Sequence, residues 1–355
     1  MYKILTPNNP FLSNYCQVRA NNLRQVIDSF LNGKTFQLFV RNRRDVQIGV
    51  GTNTLTRRFL SYLFQGDTLD KYLALSYQKQ VKIINIFKNN QYPNDLIFKP
   101  LCARIYDAHF ASQQEPYDDF NEICYEIFVN QGYELIDKAD FINSTGLKIC
   151  PYCGKDEVIE SIRSKRQIDH YLPKRKYPFF ALNYFNLIPA CDLCNEAPKK
   201  GTRDPIVEEN AGNVIIQPYS FDDTIVRFHL DLLGPNIYKP ENYDVKLGFL
   251  DKRYLDGYNT FFDLSERYKS CKQEIFEDYI RLMQISGNPF YNHMQMNLQG
   301  FDFFTSVLGY MPNTARPTEI RLYRLRKDLF EQLVVRRQPQ LYYVMEYGNN
   351  PVSLE

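Results

Sequence analysis

Between Ile149 and Lys200 stand two Cys-x-x-Cys pairs, Cys150 with Cys153 and Cys191 with Cys194. Asp169-His170 and Asn186 lie between the pairs, and Asn195 follows the last cysteine directly. Two cysteines three apart can turn both thiolates toward one ion, so two such pairs can close a tetrahedral Zn²⁺ site. A carboxylate, an imidazole and two amides in the same stretch add the parts of a metal-assisted hydrolytic site. Phosphodiester hydrolysis needs a deprotonated water, neutralised charge on the phosphate and a stabilised leaving oxygen. His170 is the candidate general base, since an unperturbed imidazole titrates at about pH 6.5. Asp169 and Asn195 together offer one carboxylate and one amide oxygen to a hard divalent ion. Most of its coordination sphere would then remain for water and phosphate, as Mg²⁺ prefers. Asn186 could accept the other imidazole N–H and so orient the base.

The elements that must position these groups are short. Pro151 and Gly154 suit a tight thiolate knuckle, and residues 166–171 read as a strand that Pro173 ends. Along a strand Asp169 and His170 face opposite sides; if the strand stops there, one is free to face a metal and the other a water. Residues 189–196 can open a short helix that brings Asn195 near the zinc end.

The flanks are larger. Leu23, Val26, Ile27, Phe30 and Leu31 form one helical face that Gly33 can end. Phe36–Val40 and Val46–Val50 flank Asn42-Arg43-Arg44-Asp45 as a hairpin. Leu69, Leu73, Tyr77, Val81 and Ile84 predict one helix, and Phe120, Ile123, Cys124, Ile127 and Phe128 another. After the cysteines the period shortens, and Val214–Ile216, Val226–Leu232 and Val245–Phe249 read as strands. Helical spacing returns through Tyr268, Cys271, Ile275, Tyr279 and Leu282, and again through Leu322, Leu325, Leu329 and Leu333. The expected fold class is α+β and helix-rich, in three parts. Residues 1–143 are mainly helical and suited to docking or assembly, 144–212 hold the chemistry, and 213–355 carry short strands and then helices.

Composition bounds the rest. The 355 residues are 44% hydrophobic and 24% charged, and the net charge of +2 creates no whole-protein field toward nucleic acid. Local charge does. Arg163, Lys165, Arg166, Lys174, Arg175 and Lys176 surround the single acid Asp169, so Arg166, Lys174, Arg175, Lys176 and Lys200 are candidate nucleic-acid contacts. A second basic run, Arg316, Arg321, Arg324, Arg326 and Lys327, reads as a solvated helix face offset by Glu319 and Asp328. No apolar run approaches the roughly 20 residues that cross a membrane, and Met1–Pro7 lacks the character of a signal peptide. A reducing cytoplasm is therefore expected, with the eight cysteines as thiols and ligands. Cys16, Cys102, Cys124 and Cys271 are expected as buried thiols, and His229 as a solvated residue on the polar side of a strand. The 27 Tyr and 26 Phe are assigned to the core. Gly49-x-Gly51 lacks a third glycine at Thr54, and no Gly-x-x-x-x-Gly-Lys-Ser/Thr loop occurs, so nucleotide sensing would have to come from a partner.

The central stretch resembles the HNH nucleases, the ββα-metal endonucleases, in their zinc-knuckle form. Cys150 and Cys153, Asp169-His170, Asn186, Cys191 and Cys194, Asn195 and a following Lys reproduce their order. The resemblance implies that Asp169 and Asn195 ligate a catalytic Mg²⁺ or Mn²⁺, that His170 is the base with Asn186 orienting it, and that the four cysteines hold a structural Zn²⁺. Lys199 would contact phosphate. Asn195 fills the last position in place of His, and the Lys falls four residues after it where many members use three, so Lys199 and Lys200 both remain candidates. Ile168–Lys174, Tyr177–Leu182 and Asn186–Cys191 are similar to HNH proteins of bacterial anti-phage defence, of the Septu and retron-associated type. That similarity implies a DNA-cleaving effector with an ATPase partner and covers residues 148–220, about a fifth of the chain. The competing class is a non-catalytic zinc-containing nucleic-acid-binding or adaptor protein, which would be indifferent to loss of His170.

Overall fold

The computed structural model describes residues 3–4, 9–33, 36–40, 43–48, 55–89, 120–132, 136–158, 168–196, 199–222, 225–232, 239–274, 276–278 and 322–330. They build helices and three separate two-stranded sheets, a helix-rich α+β architecture. By contacts the chain divides into two units, each discontinuous in sequence. The helical unit is Leu5–Thr145 with Ile168–Pro189, and the knuckle unit is Met1–Ile4, Gly146–Gln167 and Ala190–Glu355. The segment 144–212 therefore contributes to both.

The helical unit opens with α1 (Asn9–Leu31), whose Leu23, Ile27 and Phe30 are buried and whose end is followed by Gly33 at φ 88°. Strand β1 (Phe36–Val40) pairs antiparallel with β2 (Arg43–Ile48), Val40 facing Arg43. The second strand thus starts three residues before Val46, because the backbone ladder accepts the polar Arg43–Asp45 as readily as apolar residues. Helix α2 (Leu55–Leu63) is followed by α3 (Thr68–Leu73) and α4 (Tyr77–Asn89). The single helix expected through Leu69 and Ile84 is broken at residues 74–76, where the Ser76 hydroxyl accepts from the Lys79 N–H at 3.4 Å. The break resets the phase. Leu75, Gln80 and Ile83 become buried, while Tyr77 and Val81 are only half-buried. Helix α5 (Phe120–Tyr125) runs into one π-helical turn, Glu126–Gln131, and buries the whole expected face from Phe120 to Phe128. Helix α6 (Lys138–Thr145) closes the helical part.

Strands β3 (Ile168–His170) and β4 (Leu187–Pro189) form an antiparallel hairpin with Asp169 opposite Ile188 and His170 opposite Leu187. Between them, 3-10 turns at Pro178–Phe180 and Tyr184–Asn186 send aromatic rings into the unit's core. Tyr72 stacks on Phe180 at 6.1 Å, Phe120 lies 6.0 Å from Phe179, and Tyr15 meets Tyr184 edge-on at 5.2 Å. Fully buried Tyr and Phe side chains are the largest contributors to such a core, which is where the aromatic richness was expected.

The knuckle unit carries α7 (Asp192–Asn195), α8 (Pro205–Asn210), β5 (Val226–Leu232), β6 (Tyr243–Phe249), α9 (Lys252–Phe262), α10 (Leu264–Lys269) and α11 (Tyr323–Phe330). β5 and β6 pair from Val226 with Phe249 to Leu232 with Tyr243. Val214–Ile216, expected as a strand, joins no sheet among the described residues. Its Val214 N–H donates instead to the Arg253 carbonyl at 3.0 Å, and Gly257 of α9 lies so close to Val214 that a Cβ there would overlap its backbone. Helices α9 and α10 meet at Asp263, a non-glycine residue at φ 50°. Helix α11 is tied to β5 by Asp328, whose carboxylate accepts from the Phe228 N–H at 2.9 Å. Arg326 of the second basic run pairs with Asp278 at 2.7 Å. Cys16, Cys124 and Cys271 are buried and His229 is exposed, as expected; Cys102, Gly49, Gly51, Thr54, Ile275 and Leu333 lie outside the described residues. Among the described residues no helix is long and apolar enough to cross a membrane.

Candidate functional site

The first knuckle is a miniature hairpin. The Cys150 N–H donates to Asp156 O and the Val158 N–H to Lys148 O, both at 2.8 Å, with Ile149 bridged to Glu157. Gly154 turns the chain back at φ 67°, its N–H on Cys150 O at 2.8 Å, a left-handed conformation that costs glycine nothing. In the second knuckle Cys191 is extended and precedes α7, and its carbonyl accepts from both Cys194 and Asn195 N–H at 3.0 Å. The four sulfurs end within 4.8 Å of one another, all buried. Cys153 Sγ lies 3.9 Å from Cys191 Sγ; in a Zn²⁺ tetrahedron with bonds of about 2.3 Å, sulfurs stand about 3.8 Å apart. Donor set, burial and spacing all fit Zn²⁺.

The electrostatics point the same way. Burial pushes the Cys153 thiol up, but hydrogen bonds from Cys150, Cys191 and Cys194 and the Arg267 charge outweigh it and hold Cys153 well below the usual thiol range. Burial and the neighbouring sulfurs push Cys194 well up. Thiolates packed this closely resist ionising together, and a divalent cation removes that penalty. Arg267 on α10 donates from Nη1 to Cys194 Sγ at 3.3 Å. No sequence signal pointed to it, because a lone arginine distant in the chain carries no local pattern.

In the helical unit, Asp169 and His170 are buried at 3% and 7% exposure on β3. Asn186 is fully buried, and its amide bonds the backbone of the turn after His170. Its Oδ1 accepts from the Leu172 N–H at 2.6 Å, while Nδ2 donates to Leu172 O at 3.2 Å and Phe180 O at 3.1 Å. Both N–H donors are committed to backbone. The reason is local: the turn after His170 buries peptide groups with no ladder partner, and such groups must be paired. Asn186 therefore fixes the chain leaving His170, and its own carbonyl accepts from the Tyr171 N–H at 2.9 Å.

The structure thus brings the four cysteines together, with half-buried Asn195 beside them on α7, and gathers Asp169, His170 and Asn186 in one hairpin. These groups belong to the knuckle unit and the helical unit respectively. Lys199 forms an ion pair with Asp263, and Lys200 is fully buried with its N–H on Cys194 O at 3.2 Å. Neither ammonium is a free surface cation. Arg175 and Lys176 are exposed and Lys174 is half-buried, while Arg166 lies outside the described residues. Burial, then the nearby charges of Lys138 and Arg175, hold the Lys174 ammonium below the usual lysine range. Lys138, on α6, is thus a neighbour of the basic loop that sequence distance concealed.

No family model matches the chain. Two proteins are similar over part of it. Septu protein PtuB of Bacillus thuringiensis is 38% identical over 55 residues, 16% of this chain and 20% of that protein. Protein ea31 of Escherichia phage lambda is 33% identical over 88 residues, 25% of this chain and 26% of that protein. The matched stretches thus span about a fifth and a quarter of these relatives. No solved structure matches.

Proposed function

We propose that this chain is a metal-dependent HNH-type endonuclease that hydrolyses phosphodiester bonds of nucleic acid, with DNA favoured over RNA, in bacterial anti-phage defence. The carrying observation is the chain order β3, β4, α7: a two-stranded hairpin with a buried Asp-His pair, followed by a short helix built into a tetracysteine cluster. Partial identity with Septu protein PtuB supports the defence role.

By the resemblance, Asp169 and Asn195 would be the ligands of a Mg²⁺ or Mn²⁺ ion, whose chemistry would be to neutralise charge on the phosphate and the leaving oxygen. His170 takes the proton of the attacking water. Asn186 acts one step back, by fixing the backbone of residues 171–172, the chain that leaves His170. Cys150, Cys153, Cys191 and Cys194 would hold a structural Zn²⁺, and Cys191 and Cys194 would thereby tie α7, which carries Asn195, to the cluster. Lys174, Arg175 and Lys176, with Lys138 close by, add phosphate contacts that weaken as salt rises. An ATPase partner, implied by the resemblance, would license cutting; co-purification with genomic neighbours tests it, and a chain that always elutes alone argues against it.

The central test is supercoiled plasmid incubated with wild type and His170→Ala, each with Mg²⁺ and with chelator. Cleavage by wild type only, and only with metal, is expected, with zinc content and far-ultraviolet spectrum unchanged in the variant. Equal cleavage by both proteins sinks the role of His170.

A further inference from the structure

We infer that Arg267 is an outer partner of the tetracysteine metal centre, clamping both knuckles through one guanidinium, and that α10 is thereby a component of that centre. The inference rests on reading the four cysteines as a Zn²⁺ site and is independent of whether the chain cuts nucleic acid.

One end of the guanidinium, Nη1, donates to Cys194 Sγ of the second knuckle at 3.3 Å. The other, Nη2, pairs with the Asp156 carboxylate of the first knuckle. One guanidinium therefore joins a sulfur of the second knuckle to a carboxylate of the first. Both charged side chains are largely withdrawn from solvent, 14% and 20% exposed, so this is no ordinary surface ion pair. The rest of the α10 region reinforces the grip on the first knuckle. Lys155 Nζ donates to Arg267 O at 3.2 Å and to Ser270 Oγ at 3.1 Å, and the Tyr268 hydroxyl donates to Cys153 O at 2.5 Å.

The chemistry explains why a guanidinium belongs there. Zn²⁺ with four thiolates carries a formal charge of −2, and a buried anion needs charged hydrogen-bond donors around it. Partners that hold ligands in this way change metal affinity by roughly 10–100-fold when removed. A planar fork can serve a sulfur and a carboxylate at once; an ammonium is a single point of charge. Arg267→Lys therefore separates charge from bridging, and Arg267→Gln removes the charge.

The experiment uses the full chain, with zinc content by metal analysis and zinc transfer to a chromogenic chelator followed in time. We expect stoichiometric zinc in wild type, release accelerated roughly 10-fold or more in Arg267→Gln, and an intermediate rate in Arg267→Lys. Far-ultraviolet spectra and melting curves establish that the variants are folded. Arg267→Gln releasing zinc at the wild-type rate overturns the clamp. If that variant does not fold, a folded Arg267→Lys decides: a faster rate supports the inference and an unchanged rate overturns it. A wild type that purifies without zinc and binds none overturns the metal centre itself, a result distinct from a zinc-loaded wild type with unchanged variants.

Discussion

Replacing Asn186 by Ala should loosen the candidate catalytic hairpin more than any surface change could. The side chain is fully buried and makes three hydrogen bonds to backbone, at 2.6, 3.2 and 3.1 Å. Truncation orphans the Leu172 N–H and removes a partner from the Leu172 and Phe180 carbonyls. Each buried group left unsatisfied costs about 1–3 kcal/mol, the N–H most fully because it has no second bond to make. A total of about 3–5 kcal/mol follows, a large value for one substitution. Asn186→Asp keeps the acceptor for Leu172 but sets a carboxylate against two carbonyls, so it should be no better. A chain with two units need not unfold in one step, so the assay is deuterium exchange followed peptide by peptide. Protection should fall across residues 168–189 while β5–β6 in the knuckle unit keeps its rate. If hairpin opening in Asn186→Ala stays within about 1 kcal/mol of wild type, the three bonds do not hold the hairpin and the reasoning fails.

Cys191→Ser should lose zinc and unfold the knuckles locally, because a small module without its own core folds on its metal; an intact, metal-free variant by zinc assay and far-ultraviolet spectrum would count against that. Cys16 gives a pH prediction. Burial, and secondarily the Asp70 carboxylate, push its thiol from the ordinary 9.0 up to about 12. The fold thus favours the neutral thiol, so the contribution is complete below pH 9.0 and is lost as pH rises from 9.0 to about 12, while the unfolded chain ionises first. Cys16→Ala should flatten that part of the stability–pH curve, and native Cys16 should resist alkylation at pH 8 yet react in urea, as read by mass spectrometry.

Features coded by neighbouring residues were legible in the sequence. The cysteine spacing led to a real four-sulfur cluster, and the strand expected over residues 166–171 is found at Ile168–His170, because a knuckle and a strand end are set within a few residues. The α1 face, β5 and β6 were readable for the same reason. The break between α3 and α4 was not, since Ala74-Leu75-Ser76 contains no Pro or Gly and the apolar count continues across it. The backbone partners of Asn186 were not legible, because backbone groups are possessed equally by all sequences. Arg267, Lys138 and the burial of Lys200 depend on which distant segments meet, and composition at one position says nothing of that.

The helical unit has a consequence for synthesis. Its core places Tyr72 and Phe120 against Phe179 and Phe180, yet the last two come from a segment separated from Thr145 by residues 146–167. As the chain leaves the ribosome, helices α1 to α6 are complete before the rings that finish their core have been made. At about 5–20 residues per second, the nascent chain waits on the order of seconds with that apolar surface uncovered. The interval is a window in which a chaperone would bind and in which premature termination near residue 145 would yield an aggregating fragment. Slowing translation through residues 146–189 should therefore lower the yield of folded chain.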